Sequence, residues 1–115
     1  MRVKTGIIRR RKHKKILAQA KGYRMTRRRL IKKAKEAVLH AGEYAFAGRK
    51  LRKRDFRRLW ITRINAGLNG SNLSYSQFIA GLKKAKIELD RKILADLVVS
   101  DSETFNKILD KAKAD

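Results

Sequence analysis

The hydrophobic and polar positions divide the chain into two parts with different patterns. Up to about Ala66 the apolar positions are mostly alanines or isolated larger residues set among cations. From Leu73 onward, bulky apolar residues recur every three or four positions behind typical helix starts. We therefore predict an all-α protein. A long basic N-terminal helical arm spans residues 1–58, and a small globular domain of three to four helices spans residues 59–115.

The arm is predicted to contain two helices. Residues 1–9 show no clear period and are interpreted as extended, and a short helix follows over residues 10–20. Gly22 should end it, because glycine readily adopts the left-handed conformation that terminates helices. Thr26 is predicted to cap a second helix that continues to about Ala66, and Gly48 leaves open whether that helix is kinked.

A stripe of mostly small apolar residues runs along the first part of the second helix. Small residues allow a close approach of another backbone, which is either the first helix folded back or a nucleic-acid groove. The stripe consists of Leu30, Ala34, Ala37, Val38, Ala41 and Ala45.

The globular domain is predicted to contain three short capped helices. Ser74 and Gln77 have the spacing of a capping box, and Asp90 and Asp101 are placed as N-caps. About fifty residues bury only a marginal core, so the end of the long helix is expected to add Trp60, Ile61 or Ile64. The other residues expected to face inward are Phe78, Ile79, Leu82, Ile93, Leu94, Leu97, Val98, Phe105, Ile108, Leu109 and Ala112.

Charge is concentrated in the arm. The net charge is +22, and residues 1–65 carry 24 Lys/Arg against three acidic residues, a net charge of +21. On a helical wheel the cations of residues 49–64 point in nearly every direction, leaving a widest free wedge of about 120°. A helix with this pattern repels itself in water, and it is typical of one surrounded by folded nucleic acid. A solvated charge run is the weaker alternative, because such helices usually alternate their charge signs.

The predicted RNA-binding residues share either a cationic side chain or an aromatic ring among cations. Tyr23 either stacks on a base or packs on the next helix, and Trp60 is a second candidate for stacking. Five lysines and arginines around the junction of the first two globular helices give that domain one basic edge. The full set is Arg2, Lys4, Arg9, Arg10, Arg11, Lys12, Lys14, Lys15, Lys21, Tyr23, Arg24, Arg27, Arg28, Arg29, Lys32, Lys33, Lys35, Arg49, Lys50, Arg52, Lys53, Arg54, Arg57, Arg58, Trp60, Arg63, Lys83, Lys84, Lys86, Arg91 and Lys92.

Several functional classes are disfavoured by residues that the sequence lacks. There is no cysteine, which excludes disulfides, thiolate catalysis and cysteine-based zinc sites. No apolar run approaches the roughly 20 residues that span a bilayer, and the N-terminus lacks a signal-peptide core. His13 and His40 have no neighbouring nucleophile and carboxylate, and no glycine-rich phosphate loop occurs. We expect a cytoplasmic protein without catalytic activity, cofactor, metal, small-molecule substrate or membrane contact.

Residues 52–66 (RKRDFRRLWITRINA) resemble the signature of the bacterial large-subunit ribosomal protein L20 family. Residues 21–24, 73–85 and 87–97 resemble the same family in the same order. Thr5 stands where a basic residue is expected, and Gly67–Gly70 replace a more helical, alanine-rich run. The first departure puts one phosphate contact in doubt, and the second affects only the length of the long helix.

The resemblance implies a structural component of the ribosome that binds 23S ribosomal RNA directly and promotes early large-subunit assembly. Its arm would enter the RNA, its globular part would lie on the surface, and neighbouring large-subunit proteins would be partners. In some members the globular part also represses translation of its own operon by binding the messenger RNA.

Two alternatives remain on the residues alone. A non-ribosomal, DNA-binding protein is compatible with the charge, but sequence-specific DNA readers usually present one recognition helix on a compact fold. A membrane-active basic helix requires a broad face of bulky apolar residues, whereas the stripe of this arm is mostly alanine.

Overall fold

The computed structural model describes residues 2–114, and within that range the regular structure is entirely helical. The helices are α1 (Gly6–Gln19), a short 3₁₀ helix (Met25–Arg28), α2 (Ile31–Gly67), α3 (Tyr75–Lys84), α4 (Arg91–Ser100) and α5 (Ser102–Lys113). The predicted all-α class, with one long helix before a small helical domain, is confirmed. Two compact units meet between Lys50 and Leu51. The expected division after residue 58 concerns independent folding and stays a prediction.

Helix α1 begins earlier than predicted. It starts at Gly6, and the Arg9 N–H donates to the Thr5 carbonyl over 3.0 Å, so the extended interpretation is wrong for residues 6–9. The sequence of this turn shows no helical repeat of apolar residues because none of its side chains is buried; Ile7, for example, is 73% exposed. The end of α1 agrees with the prediction, since the helix stops at Gln19 and Gly22 has a φ of +87°.

The start of the long helix differs from the prediction as well. Thr26 lies inside the 3₁₀ helix, where its carbonyl accepts the N–H groups of Arg29 and Leu30 at 3.1 and 2.9 Å. Met25 has a φ of +56°, which takes the chain off a helical path just before Thr26. Helix α2 begins only at Ile31. The arginines at 27–29 therefore precede the long helix instead of forming its first turn.

In the first unit, the protein itself covers only part of the small-residue stripe. Within the stripe, Ala34 is fully buried, and Ala37 and Val38 are half-buried. Ala20, directly after α1, is fully buried as well. Leu30, Ala41 and Ala45, by contrast, are exposed. The turn that follows α1 lies along α2, because both line one cleft. Residues of this turn and of the stripe therefore line the same cleft, whereas Leu30 and Ala45 at the ends of the stripe remain exposed.

The core of the second unit combines all its helices. Helix α5 packs against both α3 and α4. The end of α2 supplies Ile64 and Leu68, with Ile64 fully buried as predicted and Trp60 packed half-buried against the core. The remaining buried residues are Phe78, Leu82, Leu94, Ala95, Phe105, Leu109 and Ala112.

One predicted core residue in α4 is misplaced. Ile93 is 46% exposed, whereas Ala95 is completely buried. The small side chain of Ala95 lets α4 lie close to the core, which turns Ile93 toward solvent. The neighbouring residues Leu94, Leu97 and Val98 are buried or half-buried, as predicted.

The three predicted N-caps of the second unit are present. Ser74 Oγ accepts from the Gln77 N–H at 3.3 Å, and Gln77 Oε1 accepts from the Ser74 N–H at 3.0 Å, which completes the capping box. Asp90 Oδ1 accepts from the Ile93 N–H at 2.8 Å. Asp101 Oδ1 accepts from the Thr104 N–H at 3.1 Å. These bonds satisfy N–H groups that a helix start otherwise leaves without partners.

Helix α3 ends in a Schellman motif. The Ile87 N–H donates to the Leu82 carbonyl at 2.9 Å and the Lys86 N–H donates to the Lys83 carbonyl at 3.2 Å, which is the paired pattern of this motif. Glycine usually occupies the left-handed position, but here Lys86 does, with a φ of +54°. The turn directs the chain from α3 toward α4, and so it positions the start of α4 described below.

Candidate nucleic-acid interface

The structure places the predicted RNA-binding residues at the surface. Every one of them is exposed except Tyr23, Trp60 and Arg91, which are half-buried. Among residues 2–114, only one lysine or arginine forms an ion pair, the contact of Lys33 with Glu36 at 3.8 Å. The cations are therefore available to an external anion, and their contact with RNA stays a prediction.

The positive charge of residues 49–64 in α2 is not neutralised by an ion pair with the single acidic residue of this stretch. Asp55 lies among eight Lys/Arg between residues 49 and 64, yet it forms no ion pair with another described residue. Lys50 instead places its Nζ 4.4 Å from the centre of the Phe46 ring. Because unpaired like charges on one helix repel each other, a polyanion would stabilise this segment.

A first cleft, of about 550 Å³, lies in the first unit between the turn after α1 and helix α2. It brings the predicted residues Tyr23, Arg24, Arg27 and Lys33 together, with Tyr23 half-buried in its wall. The remaining lining residues are Glu36, Ala37, His40, Ala41 and Tyr44.

His40 and Tyr44 were not predicted to belong to a site. Their rings meet edge to face with centroids 4.4 Å apart, and His40 Nδ1 lies 3.6 Å from a carboxylate oxygen of Glu43. The signal in the sequence is the i,i+4 spacing of the two rings, which makes them neighbours on a helix.

A second cleft, of about 490 Å³, lies in the second unit between α2 and the start of α4. It brings three cations of α2 together with two from α4, although the two groups are far apart in the sequence. Its lining residues are Lys53, Arg54, Phe56, Arg57, Trp60, Asp90, Arg91 and Lys92. Hereafter these eight residues are called the α2–α4 cleft.

Phe56 belongs to this cleft but was not predicted as a site residue. Its ring is stacked on that of Trp60, with centroids 6.1 Å apart and ring planes at 29°. The i,i+4 spacing of the two aromatic residues could have indicated the pair. Trp60 lines the cleft and also packs against the core of the second unit.

The predicted basic edge of the globular domain is only partly gathered in the cleft. Arg91 and Lys92 line it, whereas Lys83, Lys84 and Lys86 do not. Arg91 is further held by Tyr75, since its Nε donates to the Tyr75 hydroxyl at 2.6 Å. This bond orients the guanidinium while leaving its terminal nitrogens free for a partner.

Catalytic or metal-binding groupings are not apparent in the described part of the chain. Among residues 2–114, no three His, Cys, Asp or Glu side chains are grouped so that they could hold a metal ion. None of the described helices combines the length and the apolar character needed to cross a membrane.

The fold and the surface define an all-helical, strongly basic protein whose cations are largely exposed. A family model described as "Ribosomal protein L20" matches residues 2–108, and the chain belongs to this family. It is 57% identical over 113 residues to the large ribosomal subunit protein bL20 of Marinobacter nauticus, covering 98% of this chain and 97% of that protein. The resemblance drawn from the sequence is confirmed: this is a structural protein of the large ribosomal subunit and not an enzyme.

Proposed function

We propose that the chain binds 23S ribosomal RNA directly and promotes an early step of large-subunit assembly in the cytoplasm. The observation that carries this proposal is the exposed set of cations along α1, the following turn and α2, of which only Lys33 is paired within residues 2–114. Such a surface gains free energy by releasing the counterions of the RNA backbone. Membership of a ribosomal protein family makes ribosomal RNA the natural polyanion.

The same proposal gives the arm and the globular unit different tasks. The first unit buries few apolar residues and therefore depends on the RNA for stability. The second unit has a core of its own and presents shaped features, such as Arg91 held by Tyr75. It contributes selectivity by recognising RNA shape. Neighbouring large-subunit proteins then assemble around the bound protein.

The salt dependence of RNA binding tests this function. If about ten phosphates are neutralised, the logarithm of the binding constant should fall with the logarithm of salt concentration with a slope of about −7 to −9. Replacing Arg57 and Arg58 together by alanine should weaken binding and make the slope shallower. The control is the double replacement of Lys111 and Lys113, which removes the same charge from exposed positions of α5 outside the predicted interface.

The measurement uses filter binding of the full chain to a 23S ribosomal RNA transcript over a series of salt concentrations. A slope shallower than about −3 would show that few cations contact phosphate. Equal competition by duplex DNA would instead favour a general nucleic-acid-binding protein.

A second role as translational repressor draws support from the basic residues at the start of α4. If the second unit binds both RNAs through the same surface, a messenger RNA of its own operon should compete with 23S ribosomal RNA for the full chain. Replacing Arg91 by alanine should then weaken both complexes. Binding of the two RNAs without competition would contradict a shared surface.

A further inference from the structure

The α2–α4 cleft has a floor that phosphate binding alone does not explain. Phe56 is 48% exposed and stacks on Trp60, which is anchored against the core. An aromatic ring that is exposed to water does not gain the favourable free energy that its burial would contribute. The half-exposed Phe56 ring, stacked on an anchored tryptophan, therefore offers a surface on which another ring can stack.

The rim of the cleft carries the opposite chemistry. Lys53, Arg54 and Arg57 line it from α2, and Arg91 and Lys92 line it from α4. The hydroxyl of Tyr75 fixes the Arg91 side chain through Nε, so its terminal nitrogens can pair with a phosphate in a defined orientation. Aromatic rings surrounded by cations match a nucleotide, which combines a stacking base with an anionic backbone.

Asp90 determines which part of a nucleotide can occupy the floor. One of its carboxylate oxygens caps α4 by accepting from the Ile93 N–H at 2.8 Å, and the side chain also lines the cleft. A carboxylate repels phosphate but accepts a hydrogen bond from a base N–H. The base therefore belongs in the cleft, and the phosphates belong at the cationic rim.

The size of the cleft also matches a small ring system. At about 490 Å³ it lies within the range of roughly 300–1,000 Å³ that is usual for small-molecule sites. A base inside a duplex exposes only its edge, whereas an unstacked base exposes its ring face. The occupant must therefore be an unpaired nucleotide.

We propose that the α2–α4 cleft receives one unpaired nucleotide of the bound RNA, with its base on Phe56 and Trp60 and its phosphates on the surrounding cations. The proposal rests on the RNA-binding function above and deepens it, since it assigns single-strand recognition to one place on the second unit. An acidic segment of a protein partner is the competing occupant, and the experiment below distinguishes it.

The test compares two leucine replacements in the full chain. Phe56→Leu keeps an apolar side chain but removes the ring from the cleft. Phe46→Leu is the matched control, because Phe46 is an exposed aromatic residue of the same helix that does not line the cleft. Phe56→Tyr keeps the ring and checks that any loss is due to stacking. Because Phe56 stacks on Trp60, folding of each variant is verified by far-ultraviolet circular dichroism and by the unfolding temperature and not by the signal of Trp60.

Binding to the 23S ribosomal RNA transcript is measured at several salt concentrations, together with ultraviolet crosslinking. Phe56→Leu should weaken binding roughly 5- to 150-fold, the range expected for loss of one base-stacking contact, without changing the salt slope. Phe46→Leu and Phe56→Tyr should bind as the unmodified chain does. Irradiation of the unmodified complex should crosslink Phe56 or Trp60 to a nucleotide that is unpaired in the RNA.

The outcomes separate this proposal from the function on which it rests. Tight, salt-dependent binding that Phe56→Leu leaves unchanged, with no crosslink in the cleft, would overturn the nucleotide site and leave the RNA-binding function intact. Crosslinks to paired nucleotides, or to a ribosomal protein in the assembled subunit, would also overturn it. Absence of salt-dependent binding by the unmodified chain would overturn the function itself.

Discussion

Replacing Gly81 by alanine should destabilise the second unit, although alanine is the better helix former. Gly81 lies in α3, where a Cβ atom would come well under 3.0 Å from the carbonyl oxygen of Ala112 and 3.1 Å from its carbonyl carbon. The obstacle is backbone of α5, so no side-chain rotation can relieve it. Helices α3 and α5 would have to separate, and both help to form the core.

The magnitude follows from two opposing contributions. An alanine within a helix gains up to about 1 kcal/mol over glycine. Forcing an extra carbon into a close-packed interior usually costs about 1–3 kcal/mol and sometimes more, and a backbone clash belongs at the upper end. We expect a net loss of about 2 kcal/mol. For a unit of this size that loss lowers the unfolding temperature by roughly 10 °C.

Two other glycine replacements provide a graded comparison. At Gly48 nothing lies within 4 Å of an added Cβ, so Gly48→Ala should not lower the stability of the second unit. At Gly67 an added Cβ would meet Val98 Cγ2 at 2.8 Å and Phe105 Cε1 at 3.1 Å. Those atoms belong to side chains that can shift, and the loss should be smaller than at Gly81.

The assay is thermal unfolding followed by tryptophan fluorescence. Trp60 is the only tryptophan of the chain and packs against the core of the second unit, so its signal reports on that unit. The expected order of stability is Gly48→Ala, then Gly67→Ala, then Gly81→Ala. If Gly81→Ala proved as stable as Gly48→Ala, the close approach of α3 and α5 would be wrong.

Three further predictions concern local stability and folding. Lys86→Gly should raise the free energy of unfolding, measured in urea, by about 1 kcal/mol, because glycine removes the steric strain of a left-handed backbone at Lys86. A variant less stable than the unmodified chain would contradict the Schellman geometry. The Thr104 hydroxyl donates to Asp101 and holds the pKa of that carboxyl below its ordinary value. The ionised Asp101 therefore contributes stability above the unfolded pKa, and this contribution disappears as pH falls through the lower folded pKa. Asp101→Asn should flatten the loss of stability below about pH 4, and an unchanged acid profile would refute this. A fragment of residues 1–58 should show little helical circular dichroism alone at low salt and should gain helix with RNA, and a helical free fragment would refute this. A fragment of residues 59–115 should give dispersed amide resonances, and collapsed resonances would refute its independent folding.

Local features of the fold were predictable because their causes lie within a few residues. The caps at Ser74, Asp90 and Asp101 each depend on a side chain and an N–H group three residues later. Gly22 ends α1 because glycine tolerates a φ of +87°. The excess of cations before residue 66 likewise needs no tertiary information. It was enough, together with the family resemblance, to indicate an RNA-binding ribosomal protein.

The candidate site was only half predictable, because two separated segments build it. The cations of α2 and of α4 were both predicted, but the sequence could not show that Arg57 and Arg91 line one cleft. That arrangement depends on how α4 is placed by the turn at Lys86 and by core packing. The bond between Arg91 and Tyr75 joins residues 16 positions apart, and no periodicity within a helix predicts such a pair.

Tertiary structure also decided the points at which the sequence predictions were wrong. Ile93 and Ala95 flank the apolar stripe of α4 on opposite sides, about 200° apart on the helix, and the close packing of a small side chain selects Ala95 for the core. Thr26 has the chemistry of a cap, but the left-handed Met25 places it inside a short turn. Gly81 carries no distinctive signal in the sequence, and its role follows only from the Ala112 carbonyl beside it. In each case local preference permits several arrangements, and contacts between distant segments select one of them.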